Sequence, residues 1–168
     1  VNEGTVEDIS GDDGADTIIN AANASVGYIY GGDGADTITN AEGAWVSVGI
    51  SGGAGDDSIA NEGEVYSISG GHDNDYITNA ANASVGSIYG ESGDDSIVNY
   101  GYSTYAIFGG DGNDTISNYG IFEKWGYIQG DAGDDSIVNE STASYIYGGE
   151  GADTIINAAN ASVALGIY

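Results

Sequence analysis

Residues 29–40 read Ile29-Tyr30-Gly31-Gly32-Asp33-Gly34-Ala35-Asp36-Thr37-Ile38-Thr39-Asn40, and seven further versions of this stretch are spread along the chain. The shared frame is Ile-x-Gly, an Asp five residues after that Gly, then x-Ile-x-Asn. The Asp recurs at Asp16, Asp36, Asp57, Asp75, Asp95, Asp114, Asp135 and Asp153, and the Asn at Asn20, Asn40, Asn61, Asn79, Asn99, Asn118, Asn139 and Asn157. Successive copies lie 18 to 21 residues apart. A fixed period in that range marks a solenoid, in which a repeat that cannot bury its apolar side chains alone does so by stacking on the last. The expected fold is all-β, one repeat domain over residues 1–168 built as a parallel β-solenoid of about eight stacked coils.

Within a coil, Ile9, Ile29, Ile50, Ile68, Ile88, Ile107, Ile128 and Ile146 precede the Gly, while Ile18, Ile38, Ile59, Ile77, Ile97, Ile116, Ile137 and Ile155 follow the Asp. Alternation about the second Ile, as in Asp36-Thr37-Ile38-Thr39-Asn40, is the period-2 pattern of a short strand. A Val three residues before the first Ile, Val6 before Ile9 and Val26 before Ile29, defines a second strand. Both Ile columns are expected to face inward, so each coil buries two Ile, a Val and some Ala. That core is thin against the entropy of ordering about 20 residues, and bound ions are expected to supply much of the stability. The Asn column should form a ladder at the far turn. Differences in coil length are expected to bulge outward there, at residues 44–49 and 122–126. Val1-Asn2-Glu3-Gly4 resembles Ala60-Asn61-Glu62-Gly63, and Ile167-Tyr168 resembles the start of a ninth copy, so the chain reads as a piece of a longer array.

The acid is concentrated. Of 18 Asp, 17 fall in the windows 11–16, 31–36, 52–57, 70–75, 90–95, 109–114, 130–135 and 148–153. Stacked at an inter-strand spacing of about 4.8 Å, they would make a stripe of carboxylates along one edge. Like charges that close raise one another's pKa or take up a counterion, and a divalent cation between coils relieves the repulsion directly. Each window begins with Gly (Gly11, Gly31, Gly52, Gly70, Gly90, Gly109, Gly130, Gly148), and seven carry Gly at the fourth place (Gly14, Gly34, Gly55, Gly93, Gly112, Gly133, Gly151), with Asp73 in the remaining one. Glycine reaches positive φ without penalty, so such a loop curls tightly and aims carbonyl oxygens at one point. Calcium takes about six to eight oxygens from carboxylates and carbonyls. Ligation without His or Cys disfavours zinc and copper, and magnesium holds its waters. These Asp and Gly residues are therefore the candidate metal ligands.

At these residues the chain resembles the RTX family, the hemolysin-type calcium-binding repeats with the nonapeptide Gly-Gly-x-Gly-x-Asp-x-U-x, U being apolar. Gly31 to Thr39 and Gly109 to Ser117 match every specified position. The resemblance implies a right-handed β-roll with each ion between adjacent loops, held by the column Asp of both coils and by carbonyls near the glycines. Eight loops leave seven gaps, hence up to seven Ca2+. Only one turn per coil carries the motif, so calcium is expected along one edge. The second Gly is replaced by Asp12, Glu91 and Asp131, which strains those loops or adds ligands. The resemblance further implies a secreted or cell-surface bacterial protein, exported unfolded and folding on calcium outside the cell.

Charge limits the partners to calcium, neighbouring repeats of the same chain, and uncharged surfaces. The formal charge is -26, with Lys124 the one Lys or Arg against 27 Asp and Glu, which argues against nucleic acid and anionic membranes. No apolar run is long enough for membrane insertion. Without Cys or Arg, nucleophile–base arrangements and phosphate clamps lack parts, and His72 occupies a variable loop position, so the chain is not expected to be an enzyme. Two outward surfaces offer an alternative role in an adhesin. The hydroxyl column Thr17, Thr37, Ser58, Tyr76, Ser96, Thr115, Ser136 and Thr154 is similar to ice-binding arrays. The aromatics Tyr30, Tyr89, Phe108 and Tyr147, with Tyr28, Tyr127 and Tyr145 nearby, would stack on sugar rings of a glycan or pair across strands.

Overall fold

A computed structural model describes residues 1–123 and 125–168, and among them there are strands and turns but no helix. Each coil contributes one long and one short strand, and the two kinds form separate parallel sheets. The long-strand sheet contains Thr5–Asp13, Ser25–Asp33, Trp45–Ala54, Glu64–His72, Ser84–Ser92, Tyr102–Asp111, the divided strand Ile121–Phe122 and Tyr127–Ala132, then Thr142–Glu150 and Ser162–Ile167. The short-strand sheet runs from Thr17–Asn20 through Thr37–Asn40, Ser58–Asn61, Tyr76–Asn79, Ser96–Asn99, Thr115–Asn118 and Ser136–Asn139 to Thr154–Asn157. Like pairs with like: Ile38 with Ile18 and Ile59, Asn40 with Asn20 and Asn61, Ile29 with Ile9 and Ile50. A one-residue slip would turn every Ile outward, so the apolar pattern pins the register.

The two Ile columns face each other between the sheets and are almost wholly buried, with Ile9 and Ile155 near the ends only partly so. The Val column is less uniform. Val26, Val46, Val65 and Val85 give way to Ser103, Phe122, Ala143 and Val163. Buried Phe122 pairs with Ser103 and lies next to Ala143, so one large ring fills the space two small neighbours leave. A Cβ on Gly126 would lie 2.4 Å from the Phe122 ring, so that ring packs on bare backbone.

Here the structure corrects the expected outward bulges. Ala44 and Val46 are buried, and the extra residues sit inside the long strand as a bulge between Val46 and Ile50 that leaves Val48 exposed. At 122–126 Phe122 turns inward and Trp125 outward; Lys124 lies outside the described residues. Burial of an apolar side chain decides both cases, because a Phe or Val pushed into water forfeits about 1.5–3 kcal/mol.

The far turn is closed by asparagine. From Asn2 to Asn157 each Nδ2 donates to the Oδ1 of the next coil's Asn at 2.8–2.9 Å. Several also donate to a strand carbonyl of the next coil, as Asn40 does to Glu64 at 3.2 Å.

Candidate metal centre

The window 31–36 shows how each loop is built. Gly31, Gly32 and Asp33 still belong to the long strand, with Gly32 paired to Gly53 and Asp33 to Ala54, so the turn proper is Gly34 to Asp36. The Gly34 N–H donates to the Ala54 carbonyl at 2.6 Å, and the Asp36 N–H donates to Asp57 Oδ1 at 2.7 Å. The second bond repeats along the edge. Seven times the column Asp N–H donates to Oδ1 of the next coil's Asp, at 2.7–3.1 Å. One oxygen of each of these carboxylates is thereby committed to the neighbouring coil. In Asp36, Asp57, Asp75, Asp95, Asp114 and Asp135 the other oxygen, Oδ2, is buried without a hydrogen-bond partner, and so is Oδ2 of Asp16, which heads the column.

The glycines explain where those oxygens lie. A Cβ on Gly52 would stand 2.1 Å from Asp57 Oδ2 and 2.6 Å from the Gly70 carbonyl oxygen. At Gly31 the corresponding distances are 2.3 Å to Asp36 Oδ2 and 2.4 Å to the Gly52 carbonyl, and Gly11, Gly90, Gly109 and Gly130 repeat the arrangement. The first glycine is thus required for space: carboxylate and carbonyl oxygens from adjacent coils converge where a side chain would be. Positive φ belongs to other places. The seven fourth-position glycines lie at φ 115 to 138°, and the second-position glycines at 123 to 127°.

The substituted loops keep the bend by a different backbone state. Asp12, Glu91 and Asp131 adopt φ of 68, 83 and 80°, and Asp73 adopts 72°, in the left-handed region that side chains tolerate better than φ near 125°. Asp12 accepts a bond from Ser10 Oγ at 2.8 Å and Asp131 one from Gln129 Nε2, so these two carboxylates are tied to their own strands.

Burial sets the electrostatics of the column. Desolvation, offset in part by the hydrogen bond from the preceding coil, pushes Asp57 and Asp95 up to about 6 and Asp75 and Asp114 up to about 7, and raises Asp135. The ordinary value is 3.8, so between that pH and about 7 the metal-free folded chain binds more protons than the unfolded one. Its stability contribution is complete below pH 3.8 and lost as pH rises through 6 to 7. In calcium-free buffer, β-sheet circular dichroism should therefore grow as pH falls from about 8 to 5. A signal that instead grows with pH would show that the column is not a row of buried carboxylates.

A second ladder, invisible to the frame reading, runs beside the first. At the fifth place of successive windows stand Asp56, Asn74, Asp94, Asn113 and Asp134, and each side-chain Oδ1 accepts the fifth-position N–H of the next coil, ending at Ala152, at 2.7–2.9 Å. Asn74 and Asn113 also donate Nδ2 back to Asp56 and Asp94. Alternation of Asp with Asn keeps like charges two coils apart, which lowers the repulsion of an exposed acidic row. The signal was present as an alternation in a position treated as variable. In the first two windows this place is Ala15 and Ala35, and the ladder is absent.

These loops suit a hard divalent cation. Each interface up to Asp135 holds a buried carboxylate oxygen that nothing else satisfies, beside bare glycine, and at all but Asp75 a carbonyl oxygen of the next coil approaches the same space. Among the described residues no group of three or more acidic or His side chains could hold an ion by itself, so an ion here would need backbone carbonyls as well. A family model of the RTX calcium-binding nonapeptide repeat matches the chain in four copies, at residues 28–44, 50–62, 106–117 and 130–160. The windows outside those matches, 11–16, 70–75 and 90–95, carry Asp12, Asp73 and Glu91 in place of glycine, yet they stack in the same register as the rest. No curated protein and no solved structure matches the chain. The chain therefore carries RTX calcium-binding nonapeptide repeats, set within one continuous parallel solenoid.

Proposed function

We propose that this calcium-binding β-solenoid is a non-catalytic structural module of a secreted or cell-surface bacterial protein, folded by up to seven calcium ions between adjacent coils. The observation that carries the reading is the set of seven orphaned Asp Oδ2 atoms, one for each pair of adjacent windows. Calcium supplies positive charge at these oxygens; the chain supplies Asp16, Asp36, Asp57, Asp75, Asp95, Asp114 and Asp135, with Asp153 and the carbonyls around the first and fourth glycines completing the edge. Seven divalent ions would bring the formal charge from -26 to about -12, so the folded array stays strongly acidic. Extracellular millimolar calcium is within the range of modules of this kind, which connects folding to arrival outside the cell.

Native mass spectrometry in volatile buffer with calcium tests the count. Seven bound ions are expected for the unaltered chain. Gly52→Ala should lose one, because the new methyl occupies the space between Asp57 Oδ2 and the Gly70 carbonyl, whereas Gly4→Ala, with nothing within 4 Å of the added carbon, should lose none. Two ions or fewer, or equal effects of the two variants, would remove the basis for one ion per gap.

A further inference from the structure

We propose that the outer face of the long-strand sheet carries a separate binding trough for a neutral polysaccharide. This goes beyond the calcium reading and depends only on the solenoid being folded.

The trough follows from the bulged middle of the long strands. Between inward-facing Val65 and Ile68 the residues Tyr66 and Ser67 turn outward; one coil later the same places hold Gly86 and Ser87, and the next coil brings Thr104 and Tyr105. The small pair lies between two tyrosines, and a hollow of about 210 Å³ results, walled by Tyr66, Tyr89, Tyr105, Phe108 and Tyr127 and floored by Ser67 and Ser87. Tyr66 and Tyr105 also line a second, adjoining hollow of about 260 Å³, which adds Trp45, Ser47 and Thr104. Tyr66, Tyr105 and Trp45 are 62, 55 and 51 % exposed, whereas Tyr89 and Phe108 are stacked at 5.0 Å and Tyr127 meets Phe108 edge-on at 5.4 Å. One flank is thus a fixed aromatic wall and the other a set of open rings.

The charge of the lining selects the occupant. Of 27 acidic residues only Glu64 borders the two hollows, and no Lys, Arg or His does among the described residues. Anionic polymers have no cation to meet in this lining and face a chain of formal charge -26 that stays strongly acidic with calcium bound. A cationic partner is better served by the adjoining hollow of about 660 Å³, which shares Tyr89 and Phe108 with the first and is lined by Glu91, Asp111, Asp131 and Glu150. What remains is a ligand with apolar ring faces and a rim of hydroxyls, the chemistry of uncharged pyranose rings against aromatic platforms and Ser, Thr and Tyr hydroxyls. The trough crosses five strands from Trp45 to Tyr127, roughly 19 Å at the inter-strand spacing, which fits several rings in a line and therefore a polymer.

Affinity electrophoresis of the calcium-loaded chain, with its fold checked separately by circular dichroism, tests this. Gels carry galactomannan, xyloglucan, dextran, or anionic dextran sulfate, and polylysine binding is measured in parallel. Retardation by at least one neutral polymer is expected, persisting at about 0.5 M salt, where surface charges are screened. Tyr66→Ala and Tyr105→Ala should each weaken it roughly tenfold, as for loss of one aromatic anchor. Tyr66→Phe should keep most of the affinity, and Tyr100→Ala, an exposed ring on the far turn, all of it. No retardation by any neutral polymer, binding to dextran sulfate or polylysine alone, or full affinity in the Tyr66→Ala, Tyr105→Ala double variant would overturn the proposal. A chain that folds without calcium would leave this test intact, so the two readings fail separately.

Discussion

Chelator-stripped protein is expected to give the far-UV circular dichroism of an extended chain, and calcium, unlike magnesium, to convert it cooperatively to β-sheet. The argument is electrostatic. In the folded, metal-free state seven carboxylates are packed with one oxygen each bare of hydrogen bonds, at least five of them pushed to higher pKa by burial. Above pH 7 that arrangement loses stability for every ionised member, and the apolar return per coil is two Ile and about one Val. A site filled at a hundredfold its Kd adds about 2.7 kcal/mol to the folded state, so a few sites reverse the balance. Magnesium demands near-octahedral geometry and keeps its waters, which a cradle of one carboxylate oxygen and backbone carbonyls matches poorly. If the stripped chain is already β-sheet at pH 8 and calcium changes nothing, the asparagine and fifth-position ladders hold the coils unaided, and the acidic edge is not a folding switch.

Asn79→Asp should be among the most damaging single changes, costing about 3–5 kcal/mol in saturating calcium. Asn79 is fully buried; its Nδ2 donates to Asn99 Oδ1 at 2.8 Å and to the Tyr102 carbonyl at 3.3 Å, and its Oδ1 accepts from Asn61 at 2.8 Å. The isosteric carboxylate keeps the acceptor but sets a charged oxygen against Asn99 Oδ1, and no Lys, Arg or His contacts the ladder among the described residues. Because each coil touches only its neighbours, a break at this point also divides the array into two weakly coupled halves. Urea unfolding should show a lower midpoint and a broadened or split transition. Asn74→Asp is the matched comparison, since it makes the same chemical change in the exposed fifth-position ladder, where solvent screening limits the cost to about 1 kcal/mol. Equal losses at the two positions would mean that the buried ladder is not what ties the coils together.

Much of the architecture was legible because a solenoid repeats its instructions. Ile29 and Ile38 recur in frame and pair in frame, so period alone determined the parallel stacking, the two inward columns and the asparagine ladder. The column Asp and the two glycine positions of each window were legible in the same way. Tertiary structure decided how they are used. From Asp36 to Asp135 it commits Oδ1 of the column Asp to the N–H of the coil before and leaves Oδ2 bare, a division that no residue identity encodes because the partner lies 18 to 21 residues away. It makes the first glycine a matter of space alone and, beyond the first coil, the second and fourth a matter of φ and of space against the preceding coil's backbone. It turns Phe122 into a core residue because Ser103 and Ala143 stack beside it, and it gathers Tyr66, Tyr105 and Tyr127 from three coils into one trough. Sequence alone determined which residues recur and therefore which must stack; only the packed coils decided what lies beside each of them, because hydrogen-bond partnership and vacant space are properties of neighbouring coils.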